Sequence, residues 1–356
     1  MRAIRIVSAA FVTASLFGSL ANAGAPAKGT PEWKSAGPIA FGPDGLLLLA
    51  DTKGAAIFAV DLGDKKADKI DAVKVDAVNE KVAEVLGTTP DKVTIVDLAV
   101  NPTSGLVYLS VARGKGPDAA PALVRVVTDL KLEVVSLDDV KFSKADLPNA
   151  PKAGNARTEV ITDLAFVDGR VFVAGLSNEE FSSRLLALPY PFTDSAEGTS
   201  VEIYHGAHGK LETKSPIRTF VPYSIKGEPY LLAAYTCTPL VKFPVSQMKS
   251  GSHLKGTTVA ELGNRNKPLD MITYSKDGKE FLLLANSSRG VMKIPTEGVD
   301  KAEGISKPVR DKEGMSYETL AALKGVVQLD KLDRKRAVIL VQTPAGASNI
   351  ETIDLP

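Results

Sequence analysis

Cysteine is almost absent from this chain of 356 residues. Cys237 is the only one, so the chain cannot form an internal disulfide bond. With 44% hydrophobic residues, the chain can bury a substantial core, either as two domains or as one large β-architecture. The stability of the fold must therefore come from core burial.

An excess of charge of one sign is also lacking. Lys and Arg total 43, Asp and Glu total 42, and no long run of either sign occurs. Binding to a phosphate backbone requires a basic stripe, so we expect no nucleic-acid partner. Aromatic residues make up only 6% of the chain, and Trp33 is the single tryptophan. This gives little support for a carbohydrate-stacking surface.

Several short catalytic motifs are missing. The sequence contains no Gly-x-Ser-x-Gly elbow, no Cys-x-x-Cys-His haem attachment motif and no HExxH motif. These absences disfavour a serine-triad hydrolase, a c-type cytochrome and a common metalloprotease. The Gly-Lys-Gly segment at 114–116 lacks the spacing and the following helix of a phosphate-binding loop.

The first residues have the pattern of a secretory signal peptide. Arg2 and Arg5 precede an apolar run that ends near Leu20, and Ala21-Asn22-Ala23 follows. This predicts a signal peptide at 1–23, with an uncleaved membrane anchor as the alternative. The run is short for a spanning helix, and no later stretch is long and apolar enough to span a bilayer. We therefore expect a periplasmic or secreted protein, with 24–35 as an N-terminal arm.

A repeated unit organises the rest of the chain. It consists of a strand, a tight turn, an apolar strand, a polar turn and a third strand. In the first copy, residues 37–62, Pro43-Asp44-Gly45 is the tight turn and Asp51-Thr52-Lys53-Gly54 the polar one. The polar turns recur with a period of roughly 58 residues, against about 40 to 50 per blade in compact β-propellers. The pattern predicts one all-β domain at 36–356, a β-propeller with six blades preferred and seven as the alternative.

One insertion between the first two repeats has a helical pattern. In the segment Ala77–Leu86, Val78, Val82, Val85 and Leu86 recur at helical spacing, and Gly87 follows as a stop signal. We expect a short helix on the rim of the propeller, with this apolar stripe facing the core.

The turn sequences resemble those of a large superfamily of extracytoplasmic propellers. The segments Phe41–Gly45 and Ser275–Gly278 are similar to blade turns of the gluconolactonase-like, NHL-repeat and YVTN-repeat proteins. The likeness covers nearly all of 36–356 and implies a six- or seven-bladed propeller. For the lactonase branch it also implies a metal-dependent hydrolase.

Four polar residues stand near the starts of first strands, which line the central tunnel of a propeller. They are Asp97, Asp163, Arg218 and Asp270, one in each of four successive repeats. Three carboxylates and a guanidinium around a tunnel mouth could hold a divalent cation such as calcium, or orient a polar ligand through Arg218. The alternative is that they accept hydrogen bonds from backbone N–H groups in a loop of the next blade.

A second candidate site lies in the segment Tyr204–Gly209. Glycines flank His205 and His208, so the two imidazoles could converge on one ion, and Cys237 lies on a turn of the same predicted blade. Such a set would suit zinc or copper, and either ion is a less favoured expectation than calcium at the tunnel mouth. The alternative is a pair of solvated histidines with a buried, inert cysteine.

The preferred interpretation is a propeller that binds a small molecule, an ion or a partner protein at the polar face around its tunnel. The first alternative is a lactonase-like hydrolase, in which a bound cation polarises a carbonyl and one aspartate acts as the base. A non-catalytic interaction scaffold and a copper enzyme using the histidines are further alternatives. We expect a monomer without a membrane span in the mature chain.

Overall fold

The structure is a computed structural model that describes residues 26–68, 70–127, 131–152, 154–192 and 198–356. The predicted signal peptide, 1–23, and the start of the predicted arm lie outside the described residues. The described part of the arm packs on the first blade, where Trp33 Nε1 donates to the carbonyl of Ala50 at 3.2 Å. The backbone N–H of Lys34 donates to the buried carboxylate of Asp51 at 2.9 Å.

The described residues form six β-sheets, and their inner strands contact one another in a closed ring. This confirms the predicted β-propeller and its six blades. Blade 1 contains β1 (Ala27–Gly29), β2 (Ile39–Phe41), β3 (Leu46–Asp51), β4 (Ala56–Asp61) and β10 (Val140–Asp146). Blade 2 contains β6 (Val93–Val100), β7 (Val107–Arg113), β8 (Ala120–Val126) and β9 (Leu132–Val134).

The next two blades have extra outer strands. Blade 3 contains β11 (Asp163–Val167), β12 (Arg170–Leu176), β13 (Ser183–Pro189), β14 (Thr199–His205), β15 (Lys210–Glu212) and β19 (His253–Lys255). Blade 4 contains β16 (Ile217–Ile225), β17 (Glu228–Tyr235), β18 (Pro239–Pro244), β20 (Thr257–Leu262) and β24 (Lys312–Gly314). The strand β19 pairs parallel with β14, whereas the other pairs in these two sheets are antiparallel.

The last two blades have four strands each. Blade 5 contains β21 (Pro268–Lys276), β22 (Lys279–Asn286), β23 (Gly290–Pro295) and β25 (Glu318–Leu320). Blade 6 contains β26 (Val326–Lys331), β27 (Arg336–Gln342), β28 (Ser348–Asp354) and β5 (Lys74–Val75). The outer strand of blade 6, β5, therefore comes from the first quarter of the chain and pairs with β28, the last strand of the chain.

The order of the blades around the ring differs from their order in the chain. The inner strand of blade 2 contacts those of blades 1 and 6, and the inner strand of blade 1 contacts that of blade 3. The ring thus runs 2-1-3-4-5-6. Blade 2 is inserted in the chain between β4 and β10, two paired strands of blade 1. The repeats therefore do not follow one another around the ring in simple succession.

Apolar packing between neighbouring blades explains the sequence of the middle strands. The residues of β3 (Leu-Leu-Leu-Leu-Ala-Asp) are almost all buried, because one side of the strand packs on blade 2 and the other on blade 3. A strand that is covered on both faces has no solvent-facing positions, so it reads as a continuous apolar run. The tight turn before β3 contains Asp44 and Gly45 with φ of 55° and 76°. Asp and Gly tolerate this left-handed conformation better than other residues.

The predicted helical insertion is α1 (Val78–Val85), and a second, four-residue helix, α2 (Asn155–Thr158), precedes blade 3. Val78, Val82 and Leu86 are buried between blades 2 and 6, as the apolar stripe predicted. Val85 is 37% exposed, so this member of the predicted stripe faces solvent. Within the described residues, no helix has the length and apolar character needed to cross a membrane.

Candidate functional site

The six inner strands surround a central cavity with a volume of about 1000 Å³. Exposed residues stand at both ends of its wall. Thr94 and Lys267 lie near the starts of inner strands, whereas Pro222 and Lys331 lie near their far ends. The cavity is therefore reachable from solvent and has room for a small organic molecule.

A β-bulge near the start of the inner strand fixes which residues face one another around the cavity. It occurs in blades 2, 4, 5 and 6, where the bulge residues are Val96, Arg218, Leu269 and Val327. The regular register resumes at Asp97, Thr219, Asp270 and Gln328, which therefore occupy equivalent positions. The residue of blade 4 that matches the aspartates is thus Thr219, and the extra residue of the bulge displaces Arg218 from that position.

Three of the predicted residues, Asp97, Asp163 and Asp270, each join two blades. One carboxylate oxygen accepts the N–H of the next residue in the same strand, and the other accepts an N–H from the inner strand of the neighbouring blade. The donors in the same strand are Leu98, Leu164 and Met271, at 2.9, 2.7 and 2.7 Å. The donors in the neighbouring blade are Ile39, Phe220 and Leu329, at 2.8, 2.7 and 2.7 Å. This is the blade-to-blade bonding that the sequence left open as the alternative.

A fourth aspartate, Asp330, repeats the same bonding two residues farther along its strand. It accepts the N–H of Lys331 at 2.7 Å and that of Val100 in blade 2 at 2.8 Å. The sequence did not indicate Asp330, because Val326 stands at the start of that strand and Asp330 lies near its end. The four residues Asp97, Asp163, Asp270 and Asp330 all line the central cavity, and we call them the cavity aspartates.

The cavity aspartates all have raised pKa values. Burial raises the pKa of Asp163 to about 7 and that of Asp330 to about 6. At Asp97 and Asp270, burial together with repulsion from the other cavity aspartates raises the pKa well above its ordinary value. Among the ion pairs of the described residues, none includes a cavity aspartate. When they are ionised, these carboxylates therefore have no side-chain counter-ion in direct contact, although Lys267 and Lys331 also line the cavity.

Arg218 lines the cavity, but its guanidinium already has partners. Its Nη1 donates to Glu159 Oε1 at 2.7 Å, and its Nε donates to Thr236 Oγ1 at 3.1 Å. The ion pair with Glu159 spans blades 3 and 4 and leaves the Arg218 side chain 18% exposed. Because its charge is balanced by Glu159, Arg218 is less available to orient a polar ligand than the sequence predicted.

The two histidines of the second candidate site do come together. Their ring centroids are 3.9 Å apart, and both Nδ1 atoms contact the carboxylate of Glu212, at 3.0 Å from His205 and 2.6 Å from His208. The ligand atoms of these three residues lie within 4.8 Å of one another. None of the three lines the central cavity.

Cys237 is not a member of this group. It lies in the turn between β17 and β18, where it has a positive φ of 64° and its N–H donates to the carbonyl of Asn266 at 2.8 Å. The predicted His, His, Cys set is therefore corrected to His205, His208 and Glu212. The sequence signal that could have indicated Glu212 is the pair of glycines, Gly206 and Gly209, which permit a tight hairpin. The hairpin pairs Ile203 with Glu212 and so places the Glu212 carboxylate next to the histidines.

The arrangement of the cavity aspartates also bears on the hydrolase alternative. A single calcium ion needs several oxygen ligands around one point. Within the described residues, no three cavity carboxylates place ligand atoms within 4.8 Å of one another. The geometry therefore favours charge spread around a cavity over a compact metal centre.

No family model matches the sequence, and no curated protein matches it. Solved structures overlap it at low similarity. The PQQ-bound form of an aldose sugar dehydrogenase from Streptomyces coelicolor has 11% identity, covers 94% of this chain and 99% of its own, and gives a TM-score of 0.37. A glucose dehydrogenase has 11% identity, with 93% and 100% covered and a TM-score of 0.39. Because these values are so low, neither activity nor ligand is transferred to this chain.

The class that the fold defines is a six-bladed β-propeller. The site adds a solvent-accessible central cavity with four aspartates on its wall.

Proposed function

We propose that this protein is an extracytoplasmic ligand-binding propeller whose central cavity takes a small organic cation, such as a polyamine or an amino sugar. The observation that carries the proposal is the set of four cavity aspartates on the wall of one cavity of about 1000 Å³. A cation placed among them replaces the missing counter-ion and relieves their mutual repulsion. The location rests on the signal-peptide pattern of residues 1–23, and we propose that the mature chain is a monomer.

The shape of the site supports a molecule rather than a bare ion. Each cavity aspartate already accepts two backbone N–H bonds, so its oxygens are fixed at the wall and cannot close around one point. An elongated cation with several N–H groups can reach carboxylates that are far apart. Arg218 and Glu159, locked in their ion pair, then line the cavity wall as a polar, nearly neutral patch.

Gln328 offers a way to test the charge of the cavity without removing an aspartate. It stands in blade 6 at the position that Asp97 and Asp270 occupy in theirs, and it lines the cavity. Its side chain makes one long hydrogen bond, from Nε2 to the carbonyl of Val96 at 3.3 Å. Replacing it should therefore change the local charge with little effect on the fold.

The test measures spermidine binding by calorimetry at low salt and about pH 8.5, where Asp163 and Asp330 are ionised, for the wild type and three variants, with citrate as the anionic control ligand. We expect the wild type to prefer spermidine. Gln328→Lys should weaken spermidine binding at least about tenfold, which corresponds to about 1.4 kcal/mol, because an added ammonium repels the ligand and neutralises the wall. Gln328→Glu should strengthen binding, and the neutral Gln328→Met should stay close to the wild type.

The thermal melting of all three variants checks that each is folded. The proposal fails if the wild type binds spermidine no better than citrate. It also fails if folded Gln328→Lys and Gln328→Glu bind spermidine equally well.

A further inference from the structure

The hairpin of β14 and β15 carries a cluster of metal-ligand side chains outside the central cavity. His205 ends β14, His208 lies in the 3-10 turn that follows, and Glu212 ends β15. The two imidazole nitrogens and one carboxylate oxygen form a nitrogen-rich donor set. Zinc and its neighbours in the first transition series prefer such donors, whereas calcium prefers oxygen alone.

The backbone of the hairpin turn is held in place by its neighbours. The N–H of Gly206 donates to Glu261 Oε1 on β20 at 2.5 Å, and its carbonyl accepts the N–H of Val309 at 2.8 Å. A Cβ at Gly206 would stand 2.9 Å from a methyl group of Val309, so only glycine permits this close approach. The ligand positions are therefore set by the packing of blade 3 on blade 4 before any ion binds.

Glu212 has the supporting contact expected of a metal-binding carboxylate. Ser215 Oγ donates to Glu212 Oε2 at 2.6 Å, and the same oxygen contacts His205 Nδ1. Such second contacts orient a ligand and tune its affinity for the ion. The Glu212 side chain is only 11% exposed, whereas that of His208 is 46% exposed. The cluster thus has one open side through which an ion and a water ligand can enter.

Two buried side-chain atoms, one on His205 and one on Glu261, lack hydrogen-bond partners among the described residues. Metal binding would change the His205 atom from an acceptor to a donor. His205 is 1% exposed, and its Nε2 has no hydrogen-bond partner among the described residues. Glu261 is fully buried, and its Oε2 also has no partner there. When Nδ1 of His205 donates to Glu212, Nε2 is an unpaired acceptor. When Nδ1 binds a metal, the proton resides on Nε2, which becomes a donor and requires an acceptor.

We propose that His205, His208 and Glu212 bind one divalent zinc-type ion, with water as the fourth ligand. The ion replaces the two Nδ1–Glu212 hydrogen bonds and joins both ends of the hairpin. The site is separate from the cavity aspartates, so its presence does not depend on the function proposed for the cavity.

The test uses untagged, chelator-treated protein and measures zinc binding by competition with a chromophoric chelator, together with the melting temperature. The variants are His208→Ala and Glu212→Gln, because His205 is buried and its removal endangers the fold. His253→Ala is the matched control: this third histidine lies on β19 and bonds Ser200 instead of the cluster. Calcium serves as the control ion.

We expect the wild type and His253→Ala to bind one zinc ion per chain and to melt at a higher temperature when zinc is added. His208→Ala and Glu212→Gln should bind zinc at least about tenfold more weakly. Calcium should change neither property. The proposal is overturned if the wild type takes up no stoichiometric zinc, or if His208→Ala and Glu212→Gln, shown to be folded by their metal-free melting curves, retain wild-type affinity.

Discussion

Each cavity aspartate has two effects that oppose each other. It joins two blades by accepting two backbone N–H bonds, which stabilises the ring. It also places negative charge in a poorly hydrated position, which destabilises the ring and raises its own pKa. The hydrogen bonds and the charge therefore need separate tests.

Asp163→Asn tests the hydrogen bonds. The amide NH₂ cannot accept, so either Leu164 or Phe220 is left with an unpaired backbone N–H. An unsatisfied buried donor costs about 1–3 kcal/mol, whereas loss of the charge is stabilising, so we expect the free energy of unfolding in urea to fall by less than about 3 kcal/mol. Asp168→Asn is the control, because Asp168 is exposed in the turn after β11 and should change stability by less than about 0.5 kcal/mol.

Equal effects of the two substitutions would contradict the blade-joining role of Asp163. If neither variant changed the free energy of unfolding, the stabilisation by the two hydrogen bonds of Asp163 would be no larger than the destabilisation by its buried charge.

The sequence predicted three of the four cavity aspartates because each precedes an apolar pair at the start of an inner strand. It could not place Arg218 correctly, since a bulge adds one residue and the sequence pattern does not reveal it. Asp330 was not predicted as a site residue, because it lies near the end of its strand and is followed by the charged Lys331 instead of an apolar pair. Glu212 was missed because its contact with the histidines depends on the register of a hairpin.

Helix α1 shows how an element inserted between two repeats is fixed to the body. It lies between blades 2 and 6, next to β5, the strand that completes blade 6. Asn79 on the helix accepts the N–H of Ser348 at 2.9 Å. The helix therefore reinforces the junction at which the first quarter of the chain meets the last blade.

Two valines of α1 provide a matched comparison. Val82 is fully buried and Val85 is 37% exposed. Val82→Ala removes two buried carbon atoms and leaves a small void, so we expect a loss of about 2 kcal/mol in the free energy of unfolding. Val85→Ala should change it by less than about 0.5 kcal/mol. Urea denaturation of both variants measures the difference; a loss at Val85 as large as that at Val82 would contradict the packing of the helix.

Strands and turns were readable from the sequence because their physical causes are local. Apolar runs bounded by Asp-Gly turns define β3 and β22 without reference to the rest of the fold. The short outer strands were not readable. The strand β5 has only two residues, and its pairing with β28 depends on contacts between distant parts of the chain.

At the scale of the whole molecule, the ring is closed by pairings between distant segments. Blade 1 includes β10, which follows blade 2 in the chain. Blade 6 includes β5, which precedes blade 2 in the chain. The ring order 2-1-3-4-5-6 follows from these exchanges. A repeat pattern indicates how many blades to expect but carries no information on their order around the ring, so the order could not be predicted from the sequence.

The acidic cavity is likewise a property of the closed ring. The cavity aspartates come from blades 2, 3, 5 and 6, and the pKa of Asp270 is raised by burial and by the charges of the other three. No single blade would produce this potential. We propose that this potential binds an organic cation.

The most direct measurement of that claim is the affinity of the wild type for spermidine at about pH 5 and about pH 8.5, at constant ionic strength. Asp163 and Asp330, with pKa values raised to about 7 and about 6, are protonated at the lower pH and ionised at the higher. The cavity therefore gains negative charge as the pH rises, while alkyl amines with pKa near 10 remain largely protonated. We predict tighter binding at about pH 8.5; equal or weaker binding there would contradict the account.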